Sequence, residues 1–220
     1  MVKTGNSILE LFSIVAIVLP LLPLLFILTK KLYKIPVVQL LAFACLLGFA
    51  EYFLYQINNH FINRQVTSAL FRTAESACLL LLFKISVTSK RLSELYYFLL
   101  ISSVSIVIAI YTTSGTEKFT ISVSHFQSIL MIFCALLMLI KLVNAKDLLL
   151  FELPLFWISG ATFFYYSMYL LIEKITVPGV HPLQNTAEDK LLLSHLAHFM
   201  RYILYLIAVI ITHPRRDRNV

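Results

Sequence analysis

The chain has 220 residues, of which 60% are hydrophobic and only 13% charged, and its formal net charge is +7. Five glycines cannot supply the turns of a large soluble β fold, so this composition leaves a helical bundle in lipid. A hydrocarbon core of roughly 30 Å takes about 20 residues of helix, and a lipid-exposed backbone must satisfy its hydrogen bonds internally.

Seven apolar runs meet that requirement, at about 7–29, 36–57, 65–86, 95–113, 121–143, 154–173 and 189–212. The expected fold is a single all-α, seven-transmembrane domain over residues 1–220. The first run carries Pro20 and Pro23, which predict a kink. It does not read as a cleavable signal peptide, because it is long, its basic cluster follows it and no small-residue cleavage site appears. Lys30-Lys31-Leu32-Tyr33-Lys34 then leads to Pro36 and the second run, where Gly48, Glu51, Tyr55 and Asn58 mark a polar strip.

The third run places Ser68, Arg72 and Glu75 on one side of a helix. Ser114-Gly115-Thr116 separates the fourth run from the fifth, which offers Ser122, His125 and Gln127. The sixth offers Ser159, Thr162, Tyr166 and Tyr169. Its entry, Leu153-Pro154-Leu155-Phe156-Trp157-Ile158-Ser159-Gly160 running into Phe163-Phe164-Tyr165-Tyr166, resembles small seven-helix inner-membrane proteins of Bacteroidetes-type bacteria. The resemblance covers the helix count and the proline–aromatic entry. It implies an inner-membrane protein working beside a sensor kinase and assigns no residue a role.

A loop from Lys174 to Glu188 contains Pro178-Gly179 and His181-Pro182, and Thr186 with Asp189 resembles a capping box opening the seventh run. Along that run Ser194, His198, Arg201 and Tyr205 form one stripe, with His195 on its flank. Cys45, Cys78 and Cys134 all fall within runs, so they read as small packing residues rather than disulfides or metal ligands.

Basic residues in short loops stay on the cytoplasmic side. Lys30, Lys31, Lys34, Lys90, Arg91, Lys146, Arg215, Arg216 and Arg218 gather at one end of the runs, against Lys3, Arg64, Lys118, Lys174 and Lys190 at the other. The expected orientation is an N-terminus outside and a cytoplasmic C-terminus, in the inner (plasma) membrane. The positive charge is then matched by anionic membrane lipids and not by nucleic acid.

Glu51, Arg72, Glu75 and Arg201 lie roughly 10 to 15 Å below the outer helix ends at 1.5 Å per residue. Each charge facing lipid costs about 3 kcal/mol near the helix centre, so four of them cost on the order of 10 kcal/mol unless helices bring them together. The expected site is an outward-facing polar pocket of Glu51, Arg72, Glu75, His195, His198 and Arg201, bordered by Tyr55, His125 and Tyr166. The same residues equally suit a lock that holds helices in register.

No motif joins a nucleophile, an acid and a base, and the metal spacing H-E-x-x-H is absent, so neither an enzyme nor a cofactor is expected. Cys78 lies a turn from Glu75 with no evident base beside it. A retinal protein shares the helix count and orientation, but no lysine lies deep in 189–212 to form its Schiff base. A small-molecule or proton-coupled transporter is the alternative, although repeats and paired broken helices are not evident. The expected function is signal input: sensing of an unknown small ligand or envelope signal. The short tail after His213 implies no output domain, so the signal passes to a separate protein such as a sensor kinase.

Overall fold

The computed structural model describes residues 14–57, 64–113, 116–144, 149–175 and 186–216. Among them the chain is helical, with no strand. The helices are α1 (Ile14–Thr29), α2 (Pro36–Ile57), α3 (Arg64–Ser86), α4 (Lys90–Thr113), α5 (Thr116–Val143), α6 (Pro154–Ile175) and α7 (Thr186–Arg216). Six of these, α2 to α7, are long and apolar enough to cross a membrane, and α1 is shorter. Residues 7–13 of the first expected span lie outside the described residues.

Local chemistry accounts for the boundaries. Pro36 and Pro154 each occupy the first helical position, where a missing N–H costs nothing and the fixed φ favours the helix. Pro20 interrupts α1: the helical ladder stops at residues 19–20, and the Leu22 N–H turns back to the Leu19 carbonyl at 3.1 Å. Between α1 and α2, Lys31 takes φ 51°, the left-handed conformation that ends a helix sharply. A single 3-10 turn, Leu32–Lys34, leads into α2, and another, Leu150–Glu152, leads into α6.

Several helices run past the apolar stretches that announce them. α4 begins at Lys90 rather than 95, α5 at Thr116 rather than 121, and α7 covers Thr186–Arg216 rather than 189–212. Hydropathy reports where lipid begins, whereas helical hydrogen bonding continues wherever the residues allow it. In the first turn of α4, for example, Lys90 and Glu94 pair at 4.0 Å, four residues apart.

Six helices pack in cyclic order, α1 on α2, α2 on α3, α3 on α5, α5 on α6, α6 on α7 and α7 back on α1, while α4 lies outside against α3 and α5. The shared core includes Leu41, Cys45, Leu79, Phe83, Met131 and Val209. A smaller cluster of Ala69, Val107, Phe119 and Val123 holds α4 at the end where α3 begins. Cys45, Cys78 and Cys134 are buried free thiols within helices.

Large apolar side chains are also exposed on every helix, among them Leu25, Phe43, Leu70, Phe98, Ile129, Leu171 and Leu196. A bundle apolar both inside and out needs lipid as its solvent. These features are those of a multi-pass membrane protein.

Candidate functional site

Four charged side chains meet near the middle of the bundle as two crossed pairs at two levels. On α3, Glu75 lies three residues beyond Arg72, about 4.5 Å along the axis. Each pairs with a different helix. Arg72 Nε approaches Glu51 Oε1 of α2 at 3.7 Å, and the two side chains are 22% and 19% exposed. Glu75 is held by Arg201 of α7, with Nη2 on Oε1 at 2.8 Å and Nη1 donating to Oε2 at 3.1 Å. In this second pair the side chains are only 1% and 4% exposed, for arginine and glutamate respectively.

Helical spacing puts Arg72 and Glu75 on one side of α3, but they turn to separate partners. A carboxylate–guanidinium contact between helices ties two of them where an intrahelical pair would tie none.

The deeper pair is enclosed by aromatic rings. The Arg201 guanidinium carbon lies 4.1 Å from the ring centre of Tyr165, 4.6 Å from that of Tyr202 and 5.9 Å from that of Tyr205. Arg201 Nη2 also donates to the Tyr202 hydroxyl. Ring faces carry negative quadrupole, so they offset the cost of desolvating a cation. Space for Tyr202 comes from Gly48 of α2: a methyl group there would collide with the tyrosine hydroxyl and come within 3.5 Å of Arg201 Nη2.

His198, one turn before Arg201, shares a 3.1 Å hydrogen bond between Nε2 and the Tyr165 hydroxyl. Its ring meets Tyr52 edge-on at 4.8 Å. His195 is buried too, 6.4 Å from the Tyr52 ring. Tyr166 borders the cluster rather than entering it, with its hydroxyl 3.2 Å from Ser76 Oγ. His198 Nδ1 and Arg201 Nε are buried without a hydrogen-bond partner.

The shallower pair rests on neutral supports. Ser68 Oγ donates to Glu51 Oε1. Arg72 Nη1 donates to Ser124 Oγ at 3.1 Å, and the guanidinium stacks 4.3 Å over the Tyr169 ring. Next to it, Gln127 Nε2 donates to Thr73 Oγ1 at 2.6 Å, leaving the buried Gln127 Oε1 unpartnered.

Of the residues expected from sequence, Glu51, Arg72, Glu75, His195, His198 and Arg201 fall within this region, with Tyr166 at its edge. The Nδ1 of His125 lies 2.9 Å from the Ile121 carbonyl of its own helix, and the residue α5 sets against Arg72 is Ser124. The side chain of Tyr55 lies outside the described residues. Sequence reasoning missed Tyr52, Tyr165, Tyr202 and Ser124. A signal existed for Tyr202, since 198, 202 and 205 follow the i, i+4, i+7 spacing of one helical face. Nothing comparable singles out Tyr165 among the five aromatic residues between 163 and 169.

Among the described residues, no three of His, Cys, Asp and Glu converge as metal ligands do. Comparison with protein-family models, curated proteins and solved structures finds no match for this chain.

Proposed function

We propose that this chain is a seven-crossing signal-input protein of the inner (plasma) membrane, with its N-terminus outside, that senses a small ligand through the Glu51–Arg72 level of the bundle. The observation that carries the reading is the graded exposure of the two ion pairs. The Glu51–Arg72 pair is about one-fifth exposed, whereas Glu75–Arg201 is closed. Beyond Arg201 the buried side chains are mainly apolar, including Leu41, Leu79, Phe83, Ala208 and Val209, with Tyr205, Thr162 and Ser159 as buried polar groups among them. A polar entrance that ends in a packed core suits detection of a ligand better than its passage.

The deep pair supplies the response element in this reading. Arg201 connects α7 to Glu75 of α3 and, through Tyr165 and Tyr202, lies against α6 and Gly48 of α2. A ligand that parts Glu51 from Arg72 moves α2 relative to α3, and the same two helices border the deep pair. The signal then passes to a separate protein at the end where exposed Lys30, Lys31, Lys34, Lys90 and Arg91 gather, the side taken as cytoplasmic.

Water accessibility tests the reading. Native thiols are buried, so background labelling stays low. Leu54→Cys, one turn outward from Glu51, should react with a membrane-impermeant maleimide added outside intact cells. Ala208→Cys, two turns beyond Arg201 on the same face of α7, should resist the reagent from either side. Labelling at 208 from the cytoplasmic side would instead indicate a continuous path and a transporter.

A further inference from the structure

We infer that the ligand of the Glu51–Arg72 level is a small, net-neutral zwitterion of the α-amino-acid type, its carboxylate taking Arg72 and its cationic nitrogen taking Glu51. This rests on the sensing reading above and specifies the class of molecule sensed.

Charge balance is the first argument. Two carboxylates and two guanidiniums meet in the cluster, so it is electroneutral as built. A guest with net charge would leave one charge uncompensated in the low-dielectric interior, and an anion on Arg72 alone would strand Glu51. A zwitterion replaces one ion pair by two and leaves the total unchanged.

Geometry is the second. In the deep pair both terminal nitrogens of the guanidinium lie against the carboxylate, Nη1 donating a hydrogen bond at 3.1 Å and Nη2 in ionic contact at 2.8 Å. The shallow pair is looser, with Arg72 Nε 3.7 Å from Glu51 Oε1. Each shallow partner is also held independently of the other: Glu51 by Ser68, and Arg72 by Ser124 and the Tyr169 ring. Separating the pair therefore leaves both charges supported and oriented, which is the preorganisation a binding site needs and a lock does not. Partial exposure supplies the entrance.

The test uses the full chain in phosphatidylglycerol nanodiscs, where no zwitterionic headgroup competes, and follows Tm and calorimetric binding with glycine, L-leucine and L-glutamine as probes. Propionate and ethylamine serve as the two half-ligands. At least one zwitterion should raise Tm saturably and slow maleimide labelling of Leu54→Cys, while neither half-ligand does so. Glu51→Gln and Arg72→Gln should each weaken binding roughly 10- to 100-fold, the cost of removing one charged hydrogen-bond partner. If either variant fails to fold, protection of Leu54→Cys in the otherwise native chain carries the test.

A half-ligand acting as strongly as the zwitterion would overturn the inference, as would binding unchanged in both variants. Stabilisation appearing only when phosphatidylethanolamine is added would also overturn it, assigning Arg72 to the phosphate and Glu51 to the amine of a lipid headgroup. A reactive Leu54→Cys that no zwitterion protects defeats this inference while leaving the sensing reading intact; an unreactive one defeats the sensing reading itself.

Discussion

Arg201 and Glu75, 126 residues apart in sequence, form a two-pronged ion pair in the middle of the bundle, with both side chains almost fully buried. Desolvation makes such a pair expensive to create, and removing one member leaves the other charge stranded. Glu75→Gln or Arg201→Met should therefore cost about 3 to 5 kcal/mol, whereas the two changes combined should cost far less than the sum. Thermal unfolding of the four species in detergent measures the coupling, and strict additivity would contradict the pair.

The shallow pair should behave differently. Arg72→Ala and Glu51→Ala should couple by only about 0.5 to 1 kcal/mol, as part-exposed ion pairs do. Because Arg72 turns to α2 and not to its neighbour on α3, the cycle of Arg72 with Glu75 should show less coupling than the cycle of Arg72 with Glu51. The reverse order would mean that the intrahelical pair forms after all.

Two glycines give opposite expectations for the same substitution. Gly48→Ala drives a methyl group into the Tyr202 hydroxyl and disturbs its bond with Arg201, so it should destabilise by about 1 to 3 kcal/mol. Gly160→Ala meets nothing within 4 Å and should be neutral or stabilising by up to about 1 kcal/mol, since alanine is the better helix former. Comparing the Tm of the two variants checks both expectations.

Trp157 is the one tryptophan of the chain, which makes its fluorescence a depth gauge. Its indole N–H donates to the Phe151 carbonyl at 2.9 Å, and its ring packs 6.0 Å from that of Phe151, which is itself 68% exposed. An apolar ring with a satisfied N–H at a helix entry is an interfacial anchor. Lipids brominated near the headgroup should quench Trp157 more strongly than lipids brominated at the chain end. Stronger quenching from the bilayer centre would displace α6 along the membrane normal.

The long apolar runs were legible because hydrophobicity is a local property and lipid requires the backbone to close its own hydrogen bonds. The run at 36–57 coincides with Pro36–Ile57 for that reason, since a proline marks its start. The break at Pro20 was legible too, as one ring removes one donor. The ends of α4, α5 and α7 were not, because helix continues through polar residues that hydropathy excludes. At the site, the four charges could be named from their expense in lipid. Ser124 could not be separated from His125, because one residue of helix rotates a side chain by about 100° and nothing local says which faces Arg72.

Composition and patterning alone therefore established a bundle of apolar helices carrying a few ionisable groups that need partners. Who partners whom was decided only in three dimensions. Charges attract at any pairing that geometry permits, and α3 offers Arg72 a carboxylate on its own helix as readily as on α2. The packing of α2 directly on α3, the reach of Arg201 from α7 across the bundle interior to Glu75, and Gly48 admitting Tyr202 beside Arg201 are what crossed the pairs, closed one and left the other partly open.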